Sequence, residues 1–346
     1  MKRKQTIKHR LIVGWGLLLV LVLAACGQET TTDSPTTPEE ATLDSDASVE
    51  DNQDTQLSIV TTFYPVYEFT KQVAGDRANV SQMISGGTDA HHYEPSARDI
   101  AMVNEADMFI YSSEEMETWV PSLLDSLDSD EVVVVRKADT VDELTLHSDS
   151  AEDEDDHDHD HDHDHEDENH HSHEVDPHIW LDPVLAQDQV THIKEALIAL
   201  DPEGTDYYEE RAEQFNQELQ MIHEEYSTAF EGAENRVFFT QHEAFGYLAN
   251  RYDLTQIAVG GLSTEVEPNP ARIAEINELV NEYDVPVIYY QEGASSAIAE
   301  MIANETGTET AVLYDLERLS TNLQEEGLGY IDAMRMNLES LRKSIY

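Results

Sequence analysis

Between His157 and His173 the chain reads HDHDHDHDHEDENHHSH, and eight imidazoles interleaved with carboxylates have no use in a packed core but bind divalent cations. His157, His159, His161, His163 and His165 alternate strictly with acidic residues, and His170, His171 and His173 complete the tract. Neutral imidazole is a borderline-soft donor suited to Zn, Cu and Ni, and the neighbouring carboxylates lower the local potential. A segment of this composition offers many equivalent ligand sets and loses conformational entropy in choosing one, so it is expected to collect metal loosely. A specific site must lie elsewhere in the chain.

Three further histidines sit in short motifs that follow predicted strands or re-enter ordered structure. His91 lies in GGTDAHHYEPS, His178 in DPHIWLDP and His242 in FFTQHEAF. In open α/β sheets, ligands bind beyond the carboxyl ends of the strands, which is where such loops lie. Three imidazoles need a fourth donor, either a carboxylate or water, and the carboxylate candidates are Glu317, Asp315 and Glu292. A tetrahedral set of three nitrogens and one oxygen suits Zn²⁺, whereas more carboxylates and fewer imidazoles would suit a harder ion such as Mn²⁺. Ligating histidines usually donate their other ring N–H to a carboxylate or carbonyl, which points to Asp89, Asp176 and Glu243. His92, His192 and His223 are expected at the surface.

The elements that must carry these residues alternate between strand and helix. Apolar runs at 57–63, 79–85, 106–111 and 131–135 read as short buried strands, with helical spacing at 66–74, 96–105 and 114–127 between them. The pattern returns with strands at 236–240, 254–260, 285–290 and 310–314 and helices at 243–251, 270–283, 296–306 and 326–345. Such alternation implies parallel sheets covered by helices. Between the halves, helices are expected over 183–200 and 205–231, broken by Asp201-Pro202-Glu203-Gly204. The second would run roughly 40 Å, long enough to span two small domains. The fold expected is therefore α/β: two lobes, each a parallel sheet flanked by helices, joined by a long rigid helix with the metal site in the cleft between them.

The first residues place the protein. Lys2, Arg3, Lys4, Lys8 and Arg10 precede an apolar stretch at 11–23 that is too short for a comfortable membrane span, and it ends in Leu23-Ala24-Ala25-Cys26-Gly27. Small residues before a cysteine resemble a bacterial lipobox, which makes Cys26 the lipidated first residue of the mature protein. Cys26 is the one cysteine present, so disulfides within the chain and a thiolate zinc site are excluded. A formal net charge of −54 argues against nucleic acid and anionic lipid surfaces as partners and is compatible with attracting cations. The organisation expected is a signal peptide at 1–25, an acidic tether at 26–56, and a first lobe at 57–203 carrying the His-rich loop 147–175. A linking helix at 204–233 and a second lobe at 234–346 complete it.

Taken together, GTDAHHYEPSARDI, DPHIWLDPVLA, TQHEAFGYLANRY and LYDLE, in this order and with the lipobox and His tract, resemble the metal-binding solute-binding lipoproteins of ABC importers. Within that group the resemblance is to the zinc-specific branch, the ZnuA/AdcA type, and it covers essentially all of the chain from Leu57. It implies that His91, His178 and His242 are zinc ligands, since manganese-binding relatives carry glutamate at the third position. The completing carboxylate falls best on Glu317. Asp315, standing where proline is common in the family, leaves Asp315 against Glu317 open. The sequence ends at Tyr346 and is expected to lack the extra zinc-binding domain of some relatives.

The resemblance implies a protein lipid-anchored through Cys26 at the extracellular face of the cytoplasmic membrane. It would capture Zn²⁺ and pass it to an ABC permease driven by a separate ATPase, since no Walker A sequence is present. Manganese or iron import, a zinc hydrolase, and adhesion beside transport are the competing readings. No nucleophile or general-base motif accompanies the histidines, so an enzyme is not expected. Reference imidazole pKa values near 6.5 predict that affinity falls as pH drops below about 6. The His tract is expected to raise zinc concentration near the cleft as a tethered weak binder. Deleting 157–173 should therefore slow uptake in zinc-starved cells, and unchanged uptake would remove that role.

Overall fold

Why the chain makes two sheets follows from its apolar runs. Leu57–Thr61 (β1), Ala78–Gln82 (β2), Met108–Tyr111 (β3) and Val133–Arg136 (β4) pair in parallel in the order β2-β1-β3-β4. Ile59, Val60 and all four residues of β3 are buried, as expected of a parallel sheet covered by helices. In the second half Val237–Thr240 (β5), Thr255–Ala258 (β6), Val287–Gln291 (β7) and Glu309–Leu313 (β8) repeat the arrangement as β6-β5-β7-β8. In each sheet the chain runs to one side of its first strand and then to the other. The loops after β1 and β5 therefore open onto the crevice where such sheets place ligands. The computed structural model describes residues 56–85, 88, 90–127, 131–141, 175–262 and 268–346. The signal peptide, Cys26, the tether, Asp89 and the His tract lie outside the described residues.

Helices α1 (Tyr64–Ala74), α2 (Ala97–Asn104) and α3 (Val120–Leu124) connect the first sheet. The expected helix at 114–127 is shortened to α3, because Glu117 turns inward. Its carboxylate accepts hydrogen bonds from Thr62 Oγ1 at 2.6 Å and from the Ser112 and Ser113 amides at 2.9 Å, closing the loop after β3. Pro121, without an N–H, sits in the first turn of α3, where it is tolerated. Helix α4 (Pro183–Leu200) starts on Asp182, whose side chain accepts from the Val184 amide at 2.8 Å, with Pro183 pre-set for the first turn.

After the Asp201-Pro202 break comes α5 (Thr205–Phe230), 26 residues or about 39 Å of helix. Its buried stripe runs Tyr208, Ala212, Phe215, Leu219, Ile222, Tyr226 and Phe230. The early part meets α1, with Phe215 against Phe69 at 5.7 Å and Arg211 Nε donating to the Gln72 carbonyl at 2.6 Å. The late part meets the second half.

That half is completed by α6 (Gly246–Arg251), α7 (Pro270–Glu282), α8 (Ala297–Thr306), α9 (Thr321–Glu326) and α10 (Tyr330–Leu341). Tyr226 Oη donates to the Met334 carbonyl on α10 at 2.7 Å, and Arg335 pairs with Glu225 at 3.1 Å. A single helix was expected over 326–345. Gly327, at φ 70, instead ends α9 and lets the chain turn before α10. The main buried core is continuous from Ile59 to Ile345, and a smaller cluster around Phe239 and Ile288 belongs to the second sheet.

Gly75, which ends α1 at φ +54, is pressed against α5: a Cβ there would lie 2.2 Å from Tyr207 Oη and 2.7 Å from Arg211 Nε. Gly75→Ala should lower the unfolding free energy by about 2 kcal/mol or more. A Tm within 1 °C or so of the parent in thermal unfolding would contradict this packing, since about 2 kcal/mol shifts a domain of this size by several degrees.

Candidate metal centre

Four side chains, from distant parts of the sequence, point their donor atoms into the crevice between the halves. His91 lies in the turn beyond β2. The following residues pin that segment: Tyr93 Oη donates to Asp99 Oδ2 at 2.8 Å, and Ser96 and Asp99 form a capping box on α2. His178 precedes the short 3₁₀ turn Ile179–Leu181, and it is tied to Asp176. Asp176 Oδ1 accepts from the His178 amide at 2.9 Å and lies 2.7 Å from ring Nδ1. Nδ1–H therefore donates to Asp176, and Nε2 is the ring nitrogen that faces the crevice. His242 comes two residues after β5. The Gln256 amide holds its loop by donating to the His242 carbonyl at 3.0 Å and to Thr240 Oγ1 at 2.7 Å. Glu317 follows β8 and enters the crevice from a turn in which Leu316 adopts φ 62.

The donors lie at distances that suit one small cation. His242 Nε2 is 3.2 Å from His178 Nε2 and 3.2 Å from Glu317 Oε1. Glu317 Oε1 is 3.4 Å from His178 Nε2 and 3.6 Å from His91 Nε2. All four donor atoms lie within 4.8 Å of one another. A tetrahedron with bonds of about 2.0–2.1 Å has edges of about 3.3–3.4 Å, so these spacings leave room for a Zn²⁺-sized ion at the centre. His178, His242 and Glu317 are buried, and His91 is half-buried.

Asp315 and Glu292 do not belong to this group of four. Asp315 is buried beside Glu317, and its Oδ1 faces the Glu317 amide at 3.3 Å. Glu292 instead lines a cavity of about 560 Å³ at the mouth of the crevice, together with Tyr64, Gln82, Arg318 and one face of Glu317. His92 is exposed. His192 is half-buried, and so is His223, which stacks on Tyr252 with Nδ1 3.2 Å from the tyrosine hydroxyl, and neither belongs to the group of four.

Of the expected supporting carboxylates, Asp176 is in place. Asp89 lies outside the described residues, and His242 Nδ1 faces the Gly261 carbonyl at 3.3 Å, an oxygen that also accepts from the Glu243 amide. Thr240, Gln256 and Gly261 were not singled out from the sequence. Their support runs through backbone atoms and an amide, which leave no mark in a motif.

Electrostatics sharpen the picture. Burial pushes the Glu317 carboxyl up, but hydrogen bonding to His178, His242 and His91 outweighs it and holds the group well below its ordinary range. Burial pushes the His178 imidazole down, yet Asp176 and Glu317 together leave it pushed up to about 10. Burial and the Glu317 charge push Asp315 up to about 7. The crevice thus holds a carboxylate kept charged by the imidazoles around it.

A family described as the periplasmic component A of the zinc-uptake complex, ZnuA, matches residues 59–344. The high-affinity zinc uptake system protein ZnuA of Bacillus subtilis (strain 168) is 41% identical over 325 residues, covering 94% of each chain. The zinc-binding lipoprotein AdcA of Streptococcus pneumoniae is 44% identical over 291 residues, 84% of this chain and 56% of that relative, so the chain spans about half of AdcA. Among solved structures, the Zn(II)-bound ZnuA-like domain of Streptococcus pneumoniae AdcA superposes with a TM-score of 0.69 and 42% identity, covering 84% of this chain and 98% of that domain.

A cation entering this crevice must displace the proton that His178 retains at neutral pH. Because that imidazole is raised above its ordinary 6.5, the competition begins well above pH 6, earlier than reference values alone predict. One proton should be released per ion bound at pH 7–8, with affinity falling about tenfold per pH unit on acidification. Calorimetry in two buffers of different ionisation enthalpy reads the proton count directly, and a count of zero would contradict the arrangement.

Proposed function

The chain belongs to the family of zinc-uptake component A proteins, and from that premise we propose that His91, His178, His242 and Glu317 capture Zn²⁺ in the crevice for delivery across the membrane. The observation that carries this reading is the approach of three imidazole nitrogens and one carboxylate oxygen to Glu317-centred distances of 3.2–3.6 Å. Three borderline-soft nitrogens and one hard oxygen favour zinc over manganese, which prefers more oxygen ligands. Four protein donors also fill a tetrahedron. A hydrolytic zinc site keeps one position open for water, so this donor set supports carriage rather than catalysis.

Delivery requires partners. A permease receiving the ion and an ATPase driving it are the chemistry that this chain lacks. Cys26, lipidated after signal cleavage, would hold the protein at the outer face of the cytoplasmic membrane, where two acyl chains anchor stably and one does not. Among the described residues no helix is long and apolar enough to cross a membrane. Asp176 supports capture by fixing the tautomer of His178, and the lobes at 57–203 and 234–346 supply two ligands each.

Metal analysis of protein loaded with one equivalent of zinc and then dialysed tests the assignment. His242→Ala and Glu317→Gln should each weaken retention by about 100-fold or more, since each removes a charged or directly bound donor from a closed four-coordinate site. Zinc retained at parental affinity by both variants would place the ion elsewhere.

A further inference from the structure

We propose that Trp180 is a positioning residue that fixes the separation of His178 and Glu317 and thereby favours a four-coordinate cation over one seeking six ligands; this rests on the zinc-binding reading above. The indole is fully buried, two residues beyond His178, with its ring 5.2 Å from the imidazole and edge-on to Phe63 at 5.0 Å. Its Nε1–H donates to the Asp315 carbonyl at 2.7 Å, in the opposite half of the molecule and two residues before Glu317. The Trp180 carbonyl in turn accepts from Tyr330 Oη on α10.

Between Asp315 and Glu317 lies Leu316, buried and at φ 62. Leucine disfavours this left-handed backbone, which persists only where its surroundings hold it. The carbonyl that Trp180 engages is the entrance to that turn, and the turn aims Glu317 into the crevice. His178-Ile179-Trp180 on one side and Asp315-Leu316-Glu317 on the other therefore form a ring. The indole hydrogen bond closes it at one end, and the two donor atoms, 3.4 Å apart, face each other at the other. Admitting further ligands requires those donors to spread, and spreading them strains the indole bond. A tetrahedral ion needs no such movement.

Trp180→Phe keeps a buried ring but removes the donor, since the indole N–H is the side chain's one hydrogen-bonding group. Zinc affinity by chelator competition should fall about tenfold and zinc should leave faster, while manganese affinity stays within about twofold, so the zinc-to-manganese ratio drops. Tyr226→Phe, which deletes another buried bond, from α5 to α10 and away from the crevice, is the control for general loosening. A Trp180→Phe protein with the parental ratio, whether tight for both metals or weakened equally for both, overturns the proposal.

Should that variant not fold, hydrogen exchange at the indole N–H groups of the unaltered protein decides. Trp180 should exchange far more slowly than Trp119, whose Nε1 has no hydrogen-bond partner among the described residues. Equal exchange contradicts the bond. Failure of the unaltered protein to bind one equivalent of zinc would instead strike the function proposed above, leaving the Trp180 bond measurable on its own.

Discussion

A carboxylate buried among three imidazoles is the interaction on which the rest of this structure depends. Glu317 is buried, and its charge is tolerated because His91, His178 and His242 converge on it. The imidazoles in turn crowd their Nε2 atoms together, with two of them 3.2 Å apart. Two lone pairs at that distance repel unless a proton or a metal lies between them. The crevice is built to hold positive charge, and a divalent ion satisfies all four donors where a single proton satisfies two at most.

Two copies of one sheet order make that convergence possible. Each half presents the carboxyl ends of its strands to the other, so His91 beyond β2, His242 beyond β5 and Glu317 beyond β8 reach one point, and His178 joins them from the turn before α4. Helix α5 bears on α1 at one end and on α10 at the other, and the buried core is continuous across the halves. Trp180, Tyr330 and the Asp182–Arg251 pair at 2.7 Å add polar ties close to the crevice. The geometry at the donors is therefore set by packing and polar ties that involve none of the donor atoms themselves.

Much of this was legible in the sequence. Strand and helix periodicity located both sheets, because buried parallel strands leave continuous apolar runs, and α4 begins at Asp182-Pro183 and ends at Asp201-Pro202. The histidines were legible because three of them stand together in short motifs that follow strands or re-enter ordered structure, and DPH carried its own supporting aspartate. The choice between Asp315 and Glu317 was not legible. It turns on the left-handed backbone at Leu316, a conformation no pattern of side chains announces. The helix expected at 114–127 failed for a related reason: Glu117 reads as a helix former, but its carboxylate is consumed by the backbone of the loop beside it. Trp180 stands in the DPHIWLDP motif, but its role was not legible there, since its partner is a carbonyl distant in sequence.

The central claim is that three imidazoles and one carboxylate bind zinc as a closed four-coordinate set. X-ray absorption at the zinc edge, on protein given one equivalent so that the tight site fills before the His tract, measures this most directly. The account predicts four ligands at about 2.0–2.1 Å, with the multiple-scattering signature of three imidazoles and one oxygen donor. Five or six light-atom ligands, or fewer than three imidazoles, would contradict it.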